Sequence, residues 1–283
     1  IASCLVGSEM CIRDSTYSYN LKASEIIKSF VLDSDVKYNA FYLYTFSDDK
    51  GKEYLTFLNY RTNQILFYDL ETTDFLFKLN LNSEGPHGVV QPTGLYVKDL
   101  NHIYVSSYVY SGLMRVDTTC HIIQKIPYGI TSKGYNVLPS YTPSSHPYIA
   151  PVIIDKKIYI TQNAIDRFHP IVDTPLSVVI DTVQKSCEDL PLTYGILTEK
   201  ELAIKDPRFS RVFNGKEFIY SFYVSEDIVV TSVDHSEVKK ISVKSKYLDS
   251  PIVKQEVSER GPQLNLELAR YGDSVSYTHL RAH

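Results

Sequence analysis

The chain has no tryptophan, two methionines and four cysteines in 283 residues. Four cysteines are too few for a disulfide framework in a chain of this length, and no C-x-x-C pair offers a zinc or redox motif. No apolar run approaches the roughly 18–20 residues that span a bilayer, so no membrane helix is predicted. There is no basic surplus either: 29 Lys and Arg stand against 33 Asp and Glu, for a net charge of -4. That balance excludes electrostatic capture of nucleic acid and of anionic membrane. H-E-x-x-H, G-x-S-x-G, Walker and G-x-G-x-x-G patterns are also missing, which removes the catalytic motifs readable from local spacing. No metal and no cofactor is predicted.

What the sequence does contain is short aromatic and aliphatic runs. FYLYTF (41–46), EYLTFL (53–58), QILFYD (64–69) and FLFKLNL (75–81) are separated by polar turns. Runs of about six residues rich in Tyr, Phe, Leu and Ile, with short polar breaks, are strands joined as hairpins; no stripe of helical period competes. The unit recurs as TGLYVKD (93–99), HIYVSSY (102–108), GLMRVD (112–117) and HIIQKI (121–126). A third set comprises YIAPVIID (148–155), KIYITQ (157–162), LSVVID (176–181) and the region 185–190. A fourth comprises FSRVF (209–213), EFIYSFY (217–223), DIVVTSVD (227–234) and VKKISV (238–243).

The third strand of each unit is read as ending in aspartate: Asp69, Asp117, Asp181 and Asp234. A carboxylate there accepts hydrogen bonds from amides two residues on and fixes a tight hairpin. Metal ligation is the competing reading of four repeated acids, and the repeat favours turn capping. Four strands per roughly 40–50 residues is the period of a β-propeller blade. Without Trp, the chain is not built from WD, YWTD, Asp-box or tryptophan-docking repeats, and without a Gly-Gly pair kelch is disfavoured. A β-sandwich is the structural rival; the self-contained, regular units favour the propeller.

Residues 1–15 (IASCLVGSEMCIRDS) and 274–283 (SVSYTHLRAH) lack strand alternation, caps and turn chemistry. They resemble translated sequencing-adapter read-through and are set aside, which leaves residues 16–273 as one all-β domain. The excision removes Cys4 and Cys11 and leaves Cys120 and Cys187. IIKSFVL (26–32) then stands alone before the four complete units, as a strand suited to closing a ring with partners beyond Asp273. The domain is therefore expected to be an incomplete propeller of four-stranded antiparallel blades, about four of six, prone to aggregate as written.

Several stretches are similar to the bacterial domain-of-unknown-function family 4221: EYLTFLNYRTNQILFYD from Glu53, EGPHGV from Glu84, NGKEFIYSF from Asn214, KSKYLD from Lys244 and LARYGD from Leu268. The resemblance implies a six-bladed, TolB-like ring and an exported, lipid-anchored precursor in a Gram-negative envelope, with signal peptide and lipobox upstream of residue 16. The lipid anchor would be its sole tie to a membrane. It implies no activity.

Propeller ligands usually sit where the second-to-third-strand loops and the inter-blade links gather. Here those are 82–92, 108–111, 127–148, 163–175 and 191–208. Their candidate ligand-binding residues are Glu84, His87, Tyr108 and Tyr110, then Tyr141, His146 and Tyr148 in the Pro-rich loop 140–151, then Asp166, Arg167 and His169. Loops on a rigid scaffold are where binding groups collect. For Glu84 and His87 the competing role of EGPHGV is a tight inter-blade connector. The predicted function is a binding or scaffold module for a small molecule, glycan or protein. The alternative is a glycoside hydrolase or lyase drawing paired carboxylates from separate blades.

Overall fold

The computed structural model describes residues 27–36, 41–59, 61–85, 88–107, 109–134, 151–162, 171–203, 209–222 and 224–243. Among these described residues, sixteen strands make four antiparallel sheets, each four-stranded and with consecutive strands as neighbours. Blade 1 comprises β1 (Phe41–Ser47), β2 (Glu53–Asn59), β3 (Gln64–Asp69) and β4 (Phe75–Asn80). Blade 2 comprises β5 (Pro92–Asp99), β6 (His102–Ser107), β7 (Gly112–Val116) and β8 (Ile122–Pro127). Blade 3 comprises β9 (Val152–Ile154), β10 (Lys157–Thr161), β11 (Ser177–Asp181) and β12 (Ser186–Asp189). Blade 4 comprises β13 (Phe209–Phe213), β14 (Phe218–Phe222), β15 (Asp227–Thr231) and β16 (Val238–Ser242). One four-residue helix, α1 (Glu199–Leu202), sits in the link between blades 3 and 4, where Thr198 and Glu201 form a capping box.

The side-chain period of two explains how the sheets pack. On β6, Ile103 and Val105 join Phe46, Leu58, Ile65, Phe67 and Leu79 of blade 1 in one buried cluster, whereas Tyr104 between them joins Ile158, Ile160, Val178 and Ile180 of blade 3. On β10, Ile158 and Ile160 turn to blade 2, and Tyr159 turns to Phe218, Tyr220, Phe222 and Val229 of blade 4. Blades 2 and 3 are thus buried on both faces, which a two-sheet sandwich does not do and successive propeller blades must do. On β3 of blade 1, Ile65, Leu66, Phe67 and Tyr68 are all fully buried as well, Ile65 and Phe67 toward blade 2 and Leu66 and Tyr68 under Phe30 and Val36. Each such aliphatic or aromatic burial contributes about 1.5–3 kcal/mol.

The expected lone strand behaves differently. Residues 27–32 carry no strand pairing. The segment is pinned instead to the far face of blade 1, where Phe30 meets the Tyr68 ring edge-on at 5.8 Å and, with Val36, packs on Phe57, Leu66 and Tyr68. Lys28 Nζ donates to the Leu70 carbonyl at 2.6 Å, and Lys78 Nζ bridges Asp33 and Asp35 at 3.2 and 2.9 Å. Sequence pattern gave it strand composition, but among the described residues it has no neighbour to pair with, so contacts with blade 1 decide its path. The set-aside ends 1–15 and 274–283 lie outside the described residues.

Candidate binding face

Each blade has two ends. The hairpins joining first to second and third to fourth strands form the turn end; the second-to-third loops and inter-blade links form the loop end.

At the turn end the repeated aspartates are consumed by the backbone. Asp69 Oδ1 accepts from the amides of Glu71 and Thr72 at 2.9 Å each, and Asp181 Oδ1 does the same for Val183 and Gln184 at 2.9 Å. Asp117 Oδ1 takes the amides of Thr119 and His121 at 2.9 and 3.0 Å and the Thr119 hydroxyl at 2.6 Å. Amide donation, joined by the Lys52 ammonium, holds Asp69 down to about 2. Hydroxyls and amides of Asp117's own turn lower its carboxyl, and the Gln184 and Val183 amides lower that of Asp181.

Blade 4 departs from the predicted register. Its third strand ends at Thr231, and Ser232, not Asp234, occupies the closing position: Ser232 N donates to the Glu237 carbonyl, and Ser232 Oγ accepts the Glu237 amide at 3.1 Å. Asp234 sits two residues deeper, taking the Ser232 and Ser236 hydroxyls at 2.6 and 2.8 Å and the Ser236 amide at 3.1 Å, which hold it at about 2. His235, left-handed in this turn (φ 59), is buried. A cavity of about 710 Å³ opens beside this hairpin, lined by Lys216, Glu217, Val230, Ser232, Glu237 and Lys239.

The loop end has the opposite character. Tyr110, half-buried, lies across Gly112, where a Cβ would stand 2.5 Å from its ring and 2.4 Å from the Ile126 carbonyl oxygen. Gly112 is therefore what lets the ring lie down. The Lys125 ammonium is 5.8 Å from the ring centroid. Burial pushes the Tyr110 hydroxyl above its usual range and pushes Tyr128 well above it, with Tyr110 adding to the second shift. Tyr128 is 1% exposed, and its hydroxyl is buried without a hydrogen-bond partner. So are Oγ1 of Thr161 and Oε1 of Gln162, at the exit of β10, and Oδ1 of Asp189, at the end of β12. The other Asp189 oxygen accepts the Thr131 hydroxyl from the link that leaves blade 2. Burial raises the Asp189 carboxyl despite that bond and the Lys133 amide.

Of the sequence-predicted ligand residues, Glu84 is exposed on the link between blades 1 and 2, and Tyr110 is placed as above. In that link Gly88 N donates to the Gly85 carbonyl at 3.0 Å, and a Cβ on Gly88 would stand 2.7 Å from the Glu84 carbonyl oxygen, so the connector itself requires the glycine. His87, Tyr108, Tyr141, His146, Tyr148, Asp166, Arg167 and His169 lie outside the described residues. Sequence reasoning passed over Tyr128, Thr131, Gln162 and Asp189. Their signal was position: each is inside or within two residues of a loop already marked as binding, where strand alternation and loop chemistry overlap. Among the described residues no group of three or more His, Cys, Asp or Glu is placed to hold a metal ion. Cys187 is pushed up to about 12 by burial and Cys120 is raised by the same cause, so neither is poised as a thiolate.

Blades of four antiparallel strands, packed face to face with links gathered at one end, define a β-propeller with a loop-built face. The chain belongs to the family described as Domain of unknown function (DUF4221), whose model matches residues 18–281. It is similar in fold to a solved member of that family from Bacteroides vulgatus, 21% identical, with a TM-score of 0.63 over 78% of this chain and 63% of that one. This chain thus spans less than two thirds of that relative's length. More distant similarity reaches Hsv2 of Kluyveromyces lactis (10% identity, TM-score 0.39, 71% of this chain and 49% of that one). It also reaches the extracellular domain of a hybrid two-component system, BT4673, from B. thetaiotaomicron (13% identity, TM-score 0.40, 72% and 24%). No curated protein matches the chain.

Proposed function

We propose that the chain is a binding module whose loop end takes a small polar molecule, a glycan or a hydroxyl-rich protein segment, with no catalysis of its own. The observation that carries this reading is the set of buried, unpartnered polar atoms at the loop end: Tyr128 Oη, Gln162 Oε1 and Asp189 Oδ1. Each such atom left dry costs about 1–3 kcal/mol, a cost a ligand's hydroxyls relieve. Tyr128 offers a donor, whereas Gln162 Oε1 and an ionised Asp189 accept; a polyol supplies both complements. The half-buried Tyr110 ring adds an apolar platform. In the whole protein this module is a six-bladed, TolB-like ring, extracytoplasmic and lipid-anchored in a Gram-negative cell envelope. That part of the reading rests on the family resemblance.

Thermal melting of the chain with a panel of neutral and acidic oligosaccharides tests it. A ligand present at a hundred times its Kd stabilises by about 2.7 kcal/mol. The gain is expected in the unaltered chain and is expected to vanish in Tyr128→Phe and in Gln162→Leu. Failure of every oligosaccharide to stabilise, or a gain that survives both substitutions, contradicts the reading.

A further inference from the structure

Blades 1 and 2, and blades 2 and 3, meet through apolar side chains. Between blades 3 and 4 a line of polar groups runs through the core. Arg211 on β13 is 1% exposed; its Nη1 donates to Ser177 Oγ at 2.8 Å and its Nη2 to the Tyr159 carbonyl at 3.0 Å, with the guanidinium 4.9 Å from the Phe218 ring centroid. Ser177 Oγ is 2.7 Å from Tyr220 Oη, which is 2.5 Å from His235 Nε2, and His235 Nδ1 is 3.1 Å from the Val233 carbonyl oxygen. Ser177, Tyr220 and His235 are all buried.

The two ends of the line fix every hydrogen in it. A guanidinium only donates and a carbonyl oxygen only accepts. Nδ1 of His235 therefore carries the ring hydrogen, and Nε2 is left as an acceptor for the Tyr220 hydroxyl. Tyr220 having given its hydrogen to His235, Ser177 gives its own to Tyr220 and receives from Arg211. We propose that this one-directional line is an acid-sensitive latch holding blade 4 on blade 3. A second proton on His235 turns Nε2 into a donor facing the Tyr220 hydrogen. Tyr220 must then point at Ser177, which already receives from Arg211, and the Ser177 hydrogen loses its acceptor. The same proton places a second cation in a core that already holds Arg211.

The groups facing the imidazole are Arg211 from β13, Tyr220 from β14 and Asp234 from its own turn, with the apolar Phe218 ring 5.1 Å away. Burial outweighs the Val233 carbonyl, Arg211 outdoes Asp234, and the imidazole is held down at about 4. An unfolded histidine takes its proton near 6.5, so the latch is fully present above that pH and is lost as pH falls from 6.5 through about 4.

The test is a pH series on the full chain. Long-range proton–nitrogen spectra with labelled histidine are expected to show His235 as the Nδ1–H tautomer, still neutral at pH 5.5. In denaturant titrations the folded-to-unfolded ratio is expected to fall by up to about tenfold per pH unit through that window. His235→Asn, which tolerates the left-handed backbone, is expected to remove most of that slope. Arg211→Met is expected to shift the His235 titration upward. Where either variant fails to fold, the spectra of the unaltered chain decide alone. A folded chain whose His235 titrates near 6.5, or a pH slope that survives His235→Asn, overturns the latch.

Discussion

The turn end and the loop end of the same blades treat the same side chain in opposite ways. Asp69 and Asp234 are encircled by amides and hydroxyls and are held near 2, while Asp189 is walled in at the rim and pushed up. Where a carboxylate's lone pairs are filled by its own hairpin, it is spent on making the hairpin. Where burial raises it and one oxygen has no partner, it is available to something else. The difference separates scaffold from site within a repeat whose units are otherwise alike.

The largest expected effect breaks both ends together. Phe67 is fully buried between blades 1 and 2, and Phe67→Ala is expected to cost about 3–5 kcal/mol by chemical denaturation. Next comes Gly112→Ala, which drives a methyl into the Ile126 carbonyl and the Tyr110 ring; about 1–3 kcal/mol is expected, with the Tyr110 platform displaced. A stability loss without a change in Tyr110 fluorescence would detach that ring from the glycine beneath it.

Smaller and opposite in sign are the two aspartates. Asp69→Ala is expected to lower the melting midpoint at pH 7, and the loss is expected to disappear in acid. The reason is that the folded carboxyl sits below its unfolded value: its contribution is full above about 4 and is lost as pH falls through about 2. Asp189 is raised, so its ionised form weakens the fold at neutral pH, and Asp189→Asn is expected to leave the midpoint unchanged or higher. Both mutants shifting downward would erase the distinction between the ends. The smallest effect belongs to Glu84→Gln, exposed on its link, which is expected to stay within about 0.5 kcal/mol.

The strands were legible because each carries its own signal: QILFYD is buried along nearly its whole length, and turn residues bound it on both sides. The turns of blades 1 and 3 were legible because Asp69 and Asp181 close their strands with the same amide pattern. Blade 4 was misread by its strand end alone: Asp234 takes the Ser236 amide two residues on, as Asp69 takes that of Glu71, but the strand has already ended at Thr231, and pattern reading follows residue type. Arg211 was invisible in FSRVF, since the partners that make its burial tolerable lie 34 and 52 positions away. The rim residues were hidden for a related reason: Tyr128 and Asp189 look like strand-end residues until neighbouring blades close around them.

The central claim is that the two ends of a blade divide scaffold from site, and one measurement reaches it directly: the carboxyl carbon titrations of Asp69 and Asp189, followed by NMR in a single sample. The prediction is that Asp69 ionises near 2 and that Asp189 ionises above the ordinary value of 3.8. Two titrations that coincide near 3.8, or an Asp189 that ionises below Asp69, would contradict it.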